Sequence, residues 1–107
     1  MSEYEMIYIL KANQTDQQWE ASRKYVNDYI TQNEGSIQKE DVWGLRPIAS
    51  EIDGQRQGYF VLLYFSVPTN KIAEFKFQLN IHETMLRFML TKRIPDPTPK
   101  AALANKG

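Results

Sequence analysis

The segment GQRQGYFVLLYF, residues 54–65, joins a polar turn to an almost unbroken apolar run. After Gly58, only Tyr59 and Tyr64 in this segment carry a side chain with a polar atom. Such a run of strand-forming residues, which continues to residue 67, is typical of a strand buried on both faces. Asp53 and Gly54 supply the turn chemistry for a hairpin from the preceding segment. We therefore predict a central strand over residues 59–67.

The preceding segment, SIQKEDVWGLRPIASEI (Ser36–Ile52), alternates imperfectly between apolar and polar residues. It is far longer than the usual strand of about five or six residues, so we expect a bulge or break, with Gly44 as the obvious position. Pro47 cannot donate a ladder hydrogen bond and is tolerated only at a sheet edge or a bulge. The segment is therefore predicted to be an edge strand.

A first strand and a first helix precede this hairpin. Residues 4–11, YEMIYILK, form a short apolar and aromatic run that predicts a strand. Thr15 and Gln18 have the spacing of a capping box at a helix start, and Gly35 stands where a left-handed residue would end the helix. Between them, apolar or small residues recur at helical spacing: Trp19, Ser22, Val26, Tyr29 and Ile30.

A second helix and a fourth strand complete the domain. Pro68 opens the helix, which carries Ile72, Phe75 and Leu79 on one stripe and ends near residue 80, and TMLRFMLTK (84–92) is the last strand. The order β-α-β-β-α-β predicts an α+β, ferredoxin-like fold, with one four-stranded antiparallel sheet covered on one face by two helices. Right-handed crossovers place strands one and three at its centre.

The domain organisation follows from length and composition. A chain of 107 residues with 42% apolar and 24% charged residues is long enough for one folded domain, which we assign to residues 1–93. The remaining segment, IPDPTPKAALANKG (94–107), is rich in proline and small residues, so it is expected to be a disordered or interaction tail.

Composition also excludes several function classes. The chain has no cysteine, which excludes disulfides, thiolate catalysis and cysteine-based zinc sites. No apolar run is long enough to span a membrane and the N-terminus lacks the pattern of a signal peptide, so we expect a cytoplasmic protein with no membrane partner. Thirteen basic residues balance thirteen acidic ones, so nucleic acid could be bound only by a local basic patch.

The sheet face that the helices leave open depends on the register of the first strand. Burying Glu5 without a partner would cost several kcal/mol, which favours Tyr4, Met6, Tyr8 and Leu10 facing the helices. The third strand then presents Val61, Leu63 and Phe65 inward. The third strand also presents Phe60, Leu62 and Tyr64 on the open face, so the apolar residues outside the helix-covered core are Ile7, Ile9, Phe60 and Leu62. An apolar patch of this kind usually marks a docking surface, unless tail or loop residues cover it.

An open face with aromatic residues is also typical of an RNA-recognition motif. Residues 7–10, IYIL, resemble the first-strand signature of that family, and Arg56, Gly58 and Tyr59 resemble part of its third-strand signature. That signature needs two rings two positions apart on one face, whereas Tyr59 and Phe60 are adjacent and point to opposite faces. A free-standing RNA-recognition module therefore remains only an alternative interpretation.

Longer segments of the sequence are more specific to a single family. They are Tyr4 and Glu5, EDVWGLRPIASEI at 40–52, GYF at 58–60, Pro68 and MLRFMLTK at 85–92. Together they resemble the family of the sixth protein of the bacterial small ribosomal subunit. The resemblance implies a ferredoxin-like, non-enzymatic ribosomal protein without a cofactor. Its implied partners are the small-subunit protein numbered eighteen and the central domain of small-subunit ribosomal RNA, and its C-terminal extension becomes ordered on assembly. Ser2 and Glu3 depart from the basic residues that many members carry there.

Two sets of residues are predicted to carry this function. The basic side chains near the last strand, together with a planar donor on the second strand, could neutralise RNA phosphates, although a solvated basic face is an equal alternative. The predicted RNA-binding residues are Arg46, Arg87, Lys92 and Arg93. The predicted partner-binding residues are Ile7, Ile9, Trp43, Phe60 and Leu62. Trp43 could instead pack over the bulge at Gly44.

His82 is the only histidine, in the turn before the last strand and beside Glu83. Such a neighbour could support acid-base chemistry, and a small ferredoxin-like oligomeric enzyme or ligand sensor that uses His82 is a further alternative. Because no companion groups are evident in the sequence, we expect a surface loop histidine. We find no catalytic motif, nucleotide fingerprint or metal-spaced cluster, and we expect no small-molecule substrate.

Overall fold

The computed structural model describes residues 1–52 and 54–93. Its elements are β1 (Ser2–Lys11), α1 (Asp16–Gln32), β2 (Ser36–Ile52), β3 (Gln55–Val67), a 3-10 turn (Thr69–Lys71), α2 (Ile72–Ile81) and β4 (Met85–Arg93). The strands form one antiparallel sheet in the order β2-β3-β1-β4. The predicted ferredoxin-like α+β fold is confirmed, with β2 at an edge and β1 and β3 central. The predicted tail, residues 94–107, lies outside the described residues, as does Asp53 of the predicted turn.

Helix α1 begins as its capping box predicts. The Thr15 hydroxyl accepts a hydrogen bond from the Gln18 backbone N–H at 3.1 Å, and the Gln18 side chain accepts one from the Thr15 N–H at 2.9 Å. These two bonds satisfy backbone donors that have no partner within the helix. The buried residues of the helix are Trp19, Ser22, Val26 and Ile30, which follow the predicted stripe.

The end of α1 corrects the expectation for Gly35. The left-handed residue is Glu34, with φ of 68°, and the Gly35 N–H donates to the Ile30 carbonyl at 2.8 Å. Glycine is needed at position 35 for space, because a Cβ there would meet the Ser66 carbonyl oxygen and would lie 2.7 Å from that of Ile30. The helix thus ends in close contact with the backbone of β3.

Strands β1 and β3 are longer than predicted. β3 begins at Gln55, because its polar first residues pair with the far half of β2, as in the Pro47–Gln57 pair. The predicted bulge lies at Gly44, which has φ of 82° at a shift in the β2–β3 register. Two further register shifts, between Ile37 and Lys39 and between Pro47 and Ile52, let β2 span its whole predicted length.

The register of β1 matches the prediction. From Tyr4 to Leu10 its even-numbered residues face the helices and are buried, whereas its odd-numbered residues lie on the open face. The core between sheet and helices consists of Tyr4, Met6, Tyr8, Leu10, Trp19, Val26, Ile30, Val61, Leu63, Phe65, Val67, Phe75 and Leu79. Trp19 closes one end of this core, since its ring stacks on Tyr59 and its indole N–H donates to the Lys11 carbonyl at 2.8 Å.

The turn after α1 provides two substitutions with opposite expected effects. Gly35→Ala should lower the free energy of unfolding by about 2 kcal/mol, because backbone atoms cannot retreat from the added methyl group. Glu34→Gly should raise it by about 0.5–1 kcal/mol, because glycine relieves the cost of a positive φ. Urea unfolding of both variants measures these changes. A Gly35→Ala variant as stable as the parent chain would disprove the close approach to β3.

Candidate functional site

The open face of the sheet carries an apolar groove of about 340 Å³. Strand β1 lies along its floor, where Ile7 pairs with Leu62 and Met89, and Ile9 pairs with Phe60 and Arg87. The residues that line this open-face groove are Ile7, Ile9, Trp43, Ile48, Ala49, Ser50, Ile52, Phe60, Arg87 and Met89. The structure therefore brings together four of the five residues predicted to bind a partner, and it adds Met89 and the far half of β2.

The far half of β2 forms a wall of the open-face groove. Gly58 permits this arrangement, because a Cβ at that position would overlap the Ile9 side chain and lie 3.2 Å from the Cδ1 of Ile48. The Ile48 side chain therefore occupies the space over β3 that a side chain at position 58 would otherwise fill. The apolar side chains left outside the helix-covered core are thus partly shielded by β2, while the groove stays open to solvent.

Trp43 stands at the bulge and forms an aromatic edge of the groove. Its ring stacks on Phe60 with centroids 6.3 Å apart, and its indole N–H donates to the Asp41 carboxylate at 3.2 Å. The Arg46 guanidinium lies 5.6 Å from the ring centroid. The side chain still exposes 36% of its surface, so packing at the bulge leaves a large aromatic face available.

Leu62 contributes less to the surface than predicted. Its register on β3 places it on the open face, opposite Ile7 and Asp41, but only 9% of its surface is exposed. It does not line the open-face groove. Because β3 is flanked by strands on both sides, the neighbouring side chains cover a residue of this size.

The four basic residues predicted to bind RNA do not form one cluster. Arg87 lines the open-face groove, and Arg46 lies beside Trp43 at its edge. Arg93 is on the open face at the opposite end of β4, where the strand register places it opposite Glu3 of β1. Lys92 points to the other face of the sheet, since it pairs with the buried Tyr4. The basic residues near the last strand therefore lie on opposite faces of the sheet and not in the single group that was expected.

A second group on the open face was missed by the sequence analysis. The Arg93 guanidinium lies 4.3 Å from the centroid of the Tyr64 ring, and the Lys39 ammonium lies 5.7 Å from the same centroid. Lys39 pairs with Tyr64 across β2 and β3, whereas Arg93 reaches the ring from β4, over the intervening β1. Strand parity predicted the open-face position of Tyr64, but the approach of the two cations to its ring depends on the sheet order.

His82 is not a free surface residue as expected. Its ring stacks on Tyr25 with centroids 4.6 Å apart, and its Nε2 lies 3.2 Å from the Ser22 hydroxyl, which also contacts the Thr84 hydroxyl at 2.8 Å. Burial lowers the pKa of His82, and the nearby Glu83 opposes this effect. Ser22 is buried on α1, so the pair joins α1 to the turn before β4 rather than presenting a reactive hydroxyl to solvent.

Within residues 1–52 and 54–93, no group of three or more His, Asp or Glu side chains could hold a metal ion. None of the helices in that part of the chain has the length and apolar character needed to cross a membrane. The Tyr59 ring packs against Trp19 on the helix side, so it adds no stacking ring to the open face. The chemistry of the open face is therefore that of a docking surface with aromatic and cationic edges.

Comparison with known proteins identifies the family. The family model described as Ribosomal protein S6 matches residues 3–92, which include every strand and helix except the ends of β1 and β4. The chain belongs to the ribosomal protein S6 family. The resemblance noted in the sequence is thereby confirmed, and the family is one of small-subunit ribosomal proteins rather than of enzymes.

Individual relatives agree with this assignment. The small ribosomal subunit protein bS6 of Fusobacterium nucleatum is 33% identical over 93 residues, covering 87% of this chain and 99% of the relative. The bS6 protein of Campylobacter jejuni is 34% identical over 92 residues, covering 86% of this chain and 74% of the relative. The crystal structure of 30S ribosomal protein S6 from Thermotoga maritima superposes with a TM-score of 0.81 at 22% identity, over 86% of this chain and 87% of that one. That structure supports the fold.

The environment of His82 predicts a pH dependence of stability. Because the folded-state pKa is lowered, the unfolded chain takes up the proton first as the pH falls below about 6.5. The free energy of unfolding should therefore decrease from pH 7 to pH 5, and His82→Gln should reduce this decrease. Urea unfolding at a series of pH values measures this pH dependence. Glu83→Gln is the control, because it removes a charge that raises the pKa of His82 and so lowers that pKa further. An identical pH dependence in the parent chain and His82→Gln would contradict the assignment of this dependence to His82.

Proposed function

We propose that this chain is a structural component of the small ribosomal subunit in the bacterial cytoplasm, where it binds the central domain of the ribosomal RNA together with the small-subunit protein numbered eighteen. The family supports the ribosomal role. The single observation that supports docking of a partner is the open-face groove, an apolar surface on the side of the sheet opposite to α1 and α2. Apolar patches of this kind on folded domains commonly mark protein interfaces.

The groove has the composition of an interface core. Ile7, Ile9 and Met89 form an aliphatic floor, and Trp43 and Phe60 supply the aromatic side chains that are enriched in binding hot spots. Arg46 and Arg87 stand beside this apolar surface, and neither forms an ion pair with another described residue. A partner docked in the groove would therefore lie next to two of the residues proposed to bind RNA.

The proposed RNA contacts are Arg46, Arg87, Lys92 and Arg93. The affinity of a protein for RNA rises with the number of phosphates that its basic residues neutralise. Four dispersed side chains on a chain with no net charge are too few for tight binding alone. We propose that the partner protein adds its own contacts to form a joint surface, so that each protein increases the affinity of the other for the RNA. The tail, residues 94–107, is proposed to contribute to this assembly.

The coupling between partner and RNA can be measured with one matched pair of variants. The parent chain alone should bind a central-domain ribosomal RNA fragment weakly, and the partner protein should increase its affinity at least about tenfold. Met89→Lys should abolish this increase, because it places a charge in the apolar groove at a residue that is 54% exposed and tolerates substitution. Isothermal titration calorimetry and filter binding measure the two interactions.

Phe77→Lys is the control, since Phe77 is 59% exposed on α2, on the other side of the sheet. It should keep both interactions at the level of the parent chain. The proposal would be wrong if the parent chain bound the RNA equally tightly with and without the partner. It would also be wrong if Phe77→Lys lost the partner while Met89→Lys retained it.

A further inference from the structure

Three side chains on the open face form a compact group away from the open-face groove: Lys39, Tyr64 and Arg93. Both cations lie within 6 Å of the centroid of the same aromatic ring, at 5.7 Å and 4.3 Å. Lys39 comes from the edge strand β2 and Arg93 from the edge strand β4, so the sheet brings together residues from its two outermost strands. We call this group the Tyr64 cluster.

The ring holds the two cations without neutralising them. Among the described residues, the ion pairs are Arg23–Glu40, Lys24–Asp28 and Arg56–Glu51, and neither Lys39 nor Arg93 takes part in one. Attraction between a cation and an aromatic face orders the long side chain but leaves its N–H donors and its charge available. Two like charges near one ring repel each other, and an anion within reach of both cations would reduce that repulsion.

We infer that the Tyr64 cluster binds a backbone phosphate of RNA, as a second contact separate from the residues beside the groove. This inference rests on the proposed function, and it names Lys39 and Tyr64 as additional participants. The Arg93 guanidinium and the Lys39 ammonium donate hydrogen bonds to the phosphate oxygens, which are charge-assisted and therefore strong. Tyr64 is a positioning residue, because it reduces the side-chain freedom that binding would otherwise remove.

Two carboxylates on β1 provide an independent test of the charge of the group that the cluster binds. The register places Glu5 beside Tyr64 and Glu3 beside Arg93, on the same face of the sheet. If a phosphate binds at the cluster, these carboxylates oppose it, and removal of one should strengthen binding. Glu5→Gln is therefore expected to increase the RNA affinity, while the cationic variants decrease it.

The experiment uses the full-length chain with the partner protein and a central-domain ribosomal RNA fragment, titrated over a salt series. The double variant Lys39→Gln, Arg93→Gln should weaken binding about tenfold at low salt, as expected for loss of charged hydrogen bonds. The slope of log K against log salt should become shallower by about 0.7–0.9, which corresponds to one phosphate. Lys24→Gln, Lys76→Gln is the matched control, because it removes two charges from exposed lysines on the helices. It should leave the slope unchanged.

The ring has its own pair of variants. Tyr64→Phe keeps the aromatic face and should bind like the parent chain. Tyr64→Leu keeps both cations but removes the aromatic face that positions them. The affinity for the RNA should therefore fall, while the slope of log K against log salt should stay the same. These outcomes separate positioning by the ring from hydrogen bonding by its hydroxyl group.

Several results would overturn the inference. If the parent complex binds the RNA but the Lys39→Gln, Arg93→Gln variant behaves like the lysine control, the Tyr64 cluster does not hold phosphate and the proposed function stands. If that variant loses the partner protein instead, the cluster belongs to the protein interface and the inference is wrong. If the parent complex fails to bind the RNA at all, the proposed function itself fails and the inference fails with it.

Discussion

The alternation of side chains along β1 is the constraint on which the rest of the structure depends. β1 pairs with both β3 and β4, so its register fixes which residues of three strands face the helices. Tyr4, Met6 and Tyr8 are buried in the core, while Glu5 and Ile7 lie on the open face. A slip of one residue would bring carboxylates under the helices and expose the core, which makes this register strongly preferred.

The same register gives the open face two kinds of surface. Toward one end, the sheet and the far half of β2 enclose an apolar groove that contains Ile9, Ile48 and Phe60. Toward the other end, the ring of Tyr64 lies within 6 Å of the cationic groups of Lys39 and Arg93. An apolar surface suits a protein partner, whereas cations that form no ion pair among the described residues suit phosphates. Apart from Lys92, the residues proposed to bind protein and RNA therefore occupy neighbouring parts of one sheet face.

Much of this arrangement could be predicted from local sequence rules. The capping box at Thr15, the edge position implied by Pro47 and the bulge at Gly44 each depend on a few neighbouring residues. The position of Lys92 on the helix side was also available from strand parity, because it is one residue out of phase with Arg93. In contrast, the wall formed by Ile48, the companions of His82 and the approach of Arg93 to Tyr64 join distant segments. Those contacts depend on register shifts and sheet order that no local pattern specifies.

The most direct test of the account is to map where the partner protein touches the sheet. Methyl resonances of the isoleucine and methionine residues can be followed by NMR as the small-subunit protein numbered eighteen is added to the labelled chain. The account predicts large shifts at Ile7, Ile9, Ile48 and Met89, and none at Ile72 and Ile81, which belong to α2. Shifts confined to the α2 residues would contradict the claim that the open face is the functional surface.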